Sequence, residues 1–178
     1  AQDLRRQVAD RTGQLDALLA IFWFHLSRLG ARVDPETGRA LLFDELDPGR
    51  IDPLAIQQGF RHLEESRRGA MISRYHLEAG LASAISISGD PVEIRHWHEL
   101  IATHYPSPMA RLSLAIARGE EQGPEVGLRE LEPLRSDPEL ADSPHLRAAM
   151  GYFYAQLGQN DVAASWYRKA AMLTLSAS

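Results

Sequence analysis

Ser143–Leu173 reads SPHLRAAMGYFYAQLGQNDVAASWYRKAAML, two helical patterns on either side of one short break at Leu157-Gly158-Gln159-Asn160-Asp161. Gly151 stands where the first helix needs a residue without a side chain, so that the second can come close. Tyr154 follows on the same stripe. Gly158 takes the helix-ending position, where a left-handed backbone costs glycine little. Ala163, Tyr167 and Ala170 then recur at spacings of four and three, one face of the second helix. A pair of this kind cannot bury its apolar face alone, so the preceding chain is expected to supply further helical pairs.

Working upstream, residues 108–119 and 124–134 form a degenerate version of the same pair around the Gly123-Pro124 turn, with Leu112, Leu114, Ala115 and Ile116 facing Val126, Leu128, Leu131 and Leu134. Asp137-Pro138 and Ser143-Pro144 supply caps and breaks, as does Ser107-Pro108. Residues 91–104 carry the stripe Ile94, Trp97, Leu100, Ile101 and His104. The same helix holds His96 and His98, but His98-Glu99 is followed four residues later by Ala102, so the two-histidine zinc pattern fails. The remaining histidines are expected to face solvent. Gly89-Asp90-Pro91 separates this helix from residues 71–87, whose apolar face is expected to hold Ile72, Tyr75, Leu77, Leu81, Ala84 and Ile85. Gly69 separates that segment from residues 53–67, with Ile56, Phe60 and Leu63 facing inward.

Residues 2–29 read as helix, with a break expected near Thr12-Gly13. Leu15, Leu18, Leu19, Phe22 and Leu26 follow the helical period, and Ile21, Trp23 and Phe24 widen the stripe. A helix apolar on nearly every side is expected to be covered by more than one neighbour. His25 reads as a histidine at the edge of the core. Residues 30–52 are the irregular region. Asp34-Pro35-Glu36-Thr37-Gly38 has turn chemistry, and Arg32-Val33 pairing with residues 40–43 would make a small hairpin. FDELDPGRID follows, with Asp44, Glu45, Asp47 and Asp52 around Arg50. Such acids suit a hard cation, but an EF-hand loop wants acids at alternate positions and a central glycine. The favoured reading is local: Asp52 caps the next helix ahead of Pro53, while Arg50 pairs with Asp44 or Asp47 and holds the loop.

An apolar content of 44% and a charged content of 24% over 178 residues suit a folded domain with one continuous core. A net charge of -5, with basic residues interspersed among acids, argues against a phosphate-gripping face, so direct nucleic-acid binding is not expected. No apolar run approaches the ~20 residues of a membrane span. The absence of cysteine excludes thiolate metal sites and cysteine nucleophiles in this segment, and fits a cytoplasmic setting. The opening Ala1-Gln2-Asp3-Leu4 lacks methionine and a signal-peptide layout, so a fragment of a longer protein is expected. Lys169 is the one lysine, no phosphate loop is present, and no nucleophile-elbow sequence occurs. Neither a cofactor nor an enzymatic activity is expected.

The final pair resembles the tetratricopeptide unit. From about Leu4 to Leu173 the chain also resembles the C-terminal extension of one group of bacterial extracytoplasmic-function (sigma-24-type) RNA polymerase sigma factors. The residues that carry this are His25-Leu26-Ser27-Arg28, Ala31-Arg32-Val33-Asp34, the loop Glu45–Asp52 with Asp47, Arg50 and Asp52 kept, and Tyr75-His76-Leu77-Glu78-Ala79. Pro106-Ser107-Pro108, Gly123-Pro124-Glu125-Val126-Gly127-Leu128 and Leu157-Gly158 complete the order. The family's loop tryptophan is Ile51 here, and one loop arginine is Pro48.

The resemblance implies an all-α, tetratricopeptide-like stack of antiparallel hairpins over residues 1–178, a single domain with one irregular or small β-hairpin loop near residues 30–52. It also implies a regulatory module that contacts its own sigma regions, the polymerase holoenzyme or a signalling protein. Asp44, Asp47, Arg50, Asp52, His25, Arg28 and Arg32 are the candidate contact or loop-anchoring residues. Two rivals stand beside it: a free-standing adaptor that takes a peptide in its groove, and an enzyme built on the acidic loop with His25 or His76.

Overall fold

The computed structural model describes residues 2–39, 41 and 47–176. Among these residues the chain is all-α, with no strand. It divides into two compact units, Ala1–Asp90 and Pro91–Ser178, each with its own core.

The first unit is built on α1 (Gln2–Leu29), which packs against α2 (Pro53–Glu65) and α3 (Arg74–Ile87). Short 3-10 turns at Gly30–Arg32, Pro48–Arg50 and Ser66–Arg68 join or extend the helices. The buried side of α1 and of the turn that follows it is a run of small residues around one ring: Ala17, Ala20 and Phe24 of α1, and Ala31 of the turn, have no exposed surface. Phe24 fits because α2 presents Gly59, where an added Cβ would fall 2.7 Å from the ring. Phe60 then meets Phe24 edge-on at 5.4 Å between centroids, an arrangement that aromatic quadrupoles favour.

α1 is continuous through Thr12-Gly13, where a break was expected. Gly13 is used for contact: a Cβ there would lie 2.7 Å from the Ser66 carbonyl oxygen, so α1 passes directly against that turn. An interior glycine costs a helix about 1 kcal/mol relative to alanine, which packing of this closeness offsets. The same side is tied by Asp10, whose carboxylate accepts from the Ala70 and Met71 amides at 2.8 and 3.3 Å, and by Asp16 beside His62 at 2.9 Å.

α3 starts later than the residue-71 boundary read from the sequence. Ile72 and Tyr75, expected on its apolar face, are 72% and 41% exposed, because the helix begins only at Arg74 and buries Leu77, Ala79, Ala82 and Ala84. His76 closes this start. Its Nδ1 lies 3.1 Å from the Ser73 amide, which must donate, so Nε2 carries the proton it gives to the Ser66 carbonyl at 3.2 Å.

The second unit runs α4 (Pro91–His104), α5 (Pro108–Gln122), α6 (Pro124–Leu131), a 3-10 turn at Glu132–Ser136, α7 (Pro144–Gln156) and α8 (Asn160–Ser176). Its core gathers Leu112, Leu131, Leu134, Leu140, Leu146, Met150 and Phe153. α5 and α6 meet glycine to glycine: a Cβ on Gly119 would stand 2.7 Å from the Gly127 Cα and 2.3 Å from the Phe153 ring. Phe153 of α7 is thus seated on a floor without side chains, and it is fully buried.

Across α4, α5 and α6, Arg95 pairs with Glu99 and Glu121, and Arg118 with Glu99 and Glu130. This half-exposed network orients helices more than it stabilises them. His98 is not solvent-facing as expected. It is half-buried, and burial pushes its imidazole pKa down. α7 and α8 turn at Gly158, whose φ of 72° is the left-handed cap that the sequence indicated, and the Tyr167 ring lies against Gly151. Among the described residues no helix is long and apolar enough to cross a membrane.

Phe153→Ala is expected to cost about 3–5 kcal/mol, because neither glycine can extend into the space left behind. The urea midpoint checks this. A loss below about 1 kcal/mol would show that the ring is not central to this unit.

Candidate functional site

The candidate residues concern the end of α1 and the chain that returns to it. The last turns of α1 bury Phe24, Ser27 and Arg28, with Ser27 1% and Arg28 7% exposed. An arginine at a helix C-terminus is favoured by the partial negative charge of unpaired carbonyls, and Arg28 Nε points at the Phe24 carbonyl at 3.4 Å. Its Nη2 lies 3.0 Å from His25 Nδ1. A guanidinium only donates, so Nδ1 accepts and His25 is held neutral with its proton on Nε2. Burial lowers the His25 pKa, and the Arg28 and Arg32 charges lower it further. Burial, then the Arg32 charge, lowers that of Arg28 as well. Among the described residues no carboxylate forms an ion pair with Arg28.

The chain leaves α1 through the 3-10 turn at Gly30–Arg32 and reverses at Asp34. There the carboxylate accepts from the Glu36 and Thr37 amides, both at 2.9 Å, and Gly38 closes the turn with φ 68°. Hydrogen bonds from Thr37, then Glu36, hold the Asp34 carboxyl below the usual range. Backbone bonds from Asp34 N–H to the Arg39 carbonyl and from Leu41 N–H to the Arg32 carbonyl, both 2.9 Å, cross between the arms of this turn. Residues 40, 42 and 43 of the expected hairpin lie outside the described residues.

The returning segment docks through its backbone. Asp52 N–H donates to the Ser27 carbonyl at 2.8 Å, while the Asp52 carboxylate caps α2 by accepting from Leu54 and Ala55 at 2.8 and 3.2 Å. The cap and the proline after it are as the sequence indicated. Arg50 does not pair with Asp47, one of its two expected partners: its guanidinium donates to the Val33 carbonyl at 2.9 Å, and Asp47 accepts from the Gly49 amide at 2.9 Å. In a loop this tight a backbone amide two residues away reaches Asp47 first, and the longer arginine spans to the facing strand of chain. Asp44 lies outside the described residues.

Six of the seven candidates are therefore visible. His25, Arg28 and Arg32 share the end of α1, Arg50 and Asp52 reach that end across the loop, and Asp47 shapes the loop itself. Arg32 is exposed, and so is part of His25, so that one exposed cation and one neutral imidazole neighbour a buried guanidinium. The arrangement can hold a loop in one conformation and present charge. Among the described residues no three acidic or histidine side chains are grouped as metal ligands. Sequence reasoning did not find the carbonyls of Ser27 and Val33, because backbone acceptors have no signature in residue type.

In the second unit a cavity of about 560 Å³ is lined by Glu132, Arg135, Arg147, Leu146, Trp166 and Lys169 among others. Its cations are engaged: Arg135 by Glu132, Arg147 by Asp142, and Lys169 over the Trp166 ring at 4.7 Å.

A family described only as a family of unknown function (DUF6596) matches residues 1–67, which span α1, the loop and α2. No curated protein and no solved structure matches the chain.

Asp52→Ala is expected to destabilise the first unit by about 1 kcal/mol through loss of the cap, with Asp52→Asn close to the parent in urea unfolding. A second expectation concerns pH. The folded pKa values of His25 and His98 lie below the unfolded value near 6.5, so the unfolded chain binds more protons as pH falls. Stability is then full above about pH 6.5 and declines as pH drops toward the folded values. His25→Gln and His98→Gln should each flatten this decline in thermal melts between pH 7 and 5, and an unchanged slope in both would contradict it.

Proposed function

We propose that this chain is a regulatory, protein-binding extension of a bacterial extracytoplasmic-function RNA polymerase sigma factor, acting in the cytoplasm without catalysis. Its helical pairs would stack in tetratricopeptide fashion around the irregular or hairpin loop near residues 30–52. The partners would be its own sigma regions, the polymerase holoenzyme or a signalling protein, with no nucleic acid gripped directly.

One observation carries the reading. The sequence segments that resemble the family, His25–Arg28, Ala31–Asp34 and Glu45–Asp52, are separated along the chain, yet their described residues meet at one place. Asp52 bonds to Ser27, Arg50 to Val33, and Arg28 to His25. Residues spent on fixing one loop against one helix end suit a surface that must keep a defined shape for a partner. The close α5–α6 and α7–α8 pairs, with glycines at their contacts, support the tetratricopeptide part of the proposal.

Reporter transcription from the full-length factor, compared with a version lacking the residues equivalent to 1–178, tests the proposal. Changed promoter activity or promoter choice is expected, with Arg50→Ala giving part of the same effect. Identical output from all three would sink it.

A further inference from the structure

Three elements converge on the cavity of the second unit. The 3-10 turn at Glu132–Ser136 brings Arg135, α7 brings Leu146 and Arg147, and α8 brings Trp166 and Lys169. Three cations and one acid, Glu132, line a space of about 560 Å³. The local sign is opposite to that of the chain, whose net charge is -5.

These cations are held in ways that leave their charge available. Arg135 Cζ and Lys169 Nζ lie 5.3 and 4.7 Å from the centre of the same Trp166 ring. The ring attracts each of them, but the two charges repel one another. Among the described residues Lys169 forms no ion pair with a carboxylate. The acids that meet the two arginines are turned to solvent: the Glu132 side chain, beside Arg135, is 59% exposed and that of Asp142, beside Arg147, 86%. Exposed pairs of this kind are weak and part readily. Arg147 is further steadied by the Ala141 carbonyl at 3.3 Å, which fixes its place without neutralising it. An anion in the cavity would meet all three cations without displacing a buried partner.

We propose that this cavity binds a small organic phosphate monoester. The lining carries an excess of two positive charges, and a phosphate monoester carries about −2 near pH 7. Two guanidiniums offer the planar forks that suit phosphate oxygens, and the ammonium adds a point charge. The volume selects the rest of the ligand. It exceeds what inorganic phosphate fills and lies within the range of about 300–1,000 Å³ common to small-molecule sites. Leu146, 2% exposed, and the Trp166 ring give the cavity an apolar wall against which an organic body can lie.

Proton–nitrogen correlation spectra of the full chain read this through the indole N–H signals of Trp23, Trp97 and Trp166, with Trp166→Phe assigning the last. Phenyl phosphate, titrated at constant ionic strength, should move the Trp166 signal saturably, with a dissociation constant on the order of 1 mM or below, and leave the other two in place. Inorganic phosphate lacks the organic body and benzoate lacks the second charge, so each should bind at least about tenfold more weakly. Lys169→Gln and Arg147→Gln should each weaken phenyl phosphate about tenfold. Lys169 is exposed, so its variant keeps the fold. Arg168→Gln, a change in an exposed neighbour outside the cavity, should leave binding as in the parent. No saturable Trp166 shift would overturn the proposal, as would equal movement of all three indole signals. So would a Lys169→Gln variant that binds like the parent, or inorganic phosphate or benzoate binding as tightly as phenyl phosphate.

Discussion

Both units depend on the same steric constraint: a phenylalanine ring can sit between helices only where the facing backbone has no side chain. Phe24 occupies such a place over Gly59, and Phe153 over Gly119 and Gly127. Full burial of one ring contributes roughly 1.5–3 kcal/mol from the removal of apolar surface, but the geometric consequence is larger. Helices that meet glycine to glycine approach more closely than leucine-lined ones, and the ring then fixes where along their length they cross. In the first unit the surrounding core can be made largely of alanines because the ring supplies its bulk. Interior glycines would otherwise only weaken these helices; here they define the packing.

A buried cation is the second organising feature. Removing a guanidinium from water is costly unless its donors are met, and Arg28 directs Nε at the Phe24 carbonyl and Nη2 at His25. His25 completes the arrangement by staying neutral and accepting. The segment that returns to α1 binds through the Asp52 amide and the Arg50 guanidinium, both to backbone carbonyls of the first arm. The loop is therefore held by main-chain acceptors, which leaves the outward face free to vary in side chain.

The helical content and most boundaries were legible because local chemistry sets them. Proline after Asp52, Ser107 and Ser143 marks three helix starts, and Gly158 marks an end. The candidate site was legible only in part. Asp52 as a cap was readable, since a cap acts within three residues of itself. The Arg50 contact was not, because pairing by charge ignores the shorter path from Asp47 to a neighbouring amide. His98 was misjudged for a related reason: its own helix shows a polar residue, while its burial comes from the rest of the fold. Gly13 looked like a break because the helical pattern carries no sign of the turn at Ser66 that presses against it.

From its residues alone, this chain determines that it forms amphipathic helices, where they start and stop, and which positions are too small to be anything but contacts. These depend on backbone preferences and on interactions within a few residues, which any reading along the chain can follow. Only the tertiary structure decided which stripe of α1 is buried, which carbonyls the loop grips and which histidines lose water. Those outcomes depend on which surfaces meet in space, and one apolar stripe looks like another until a neighbour occupies it.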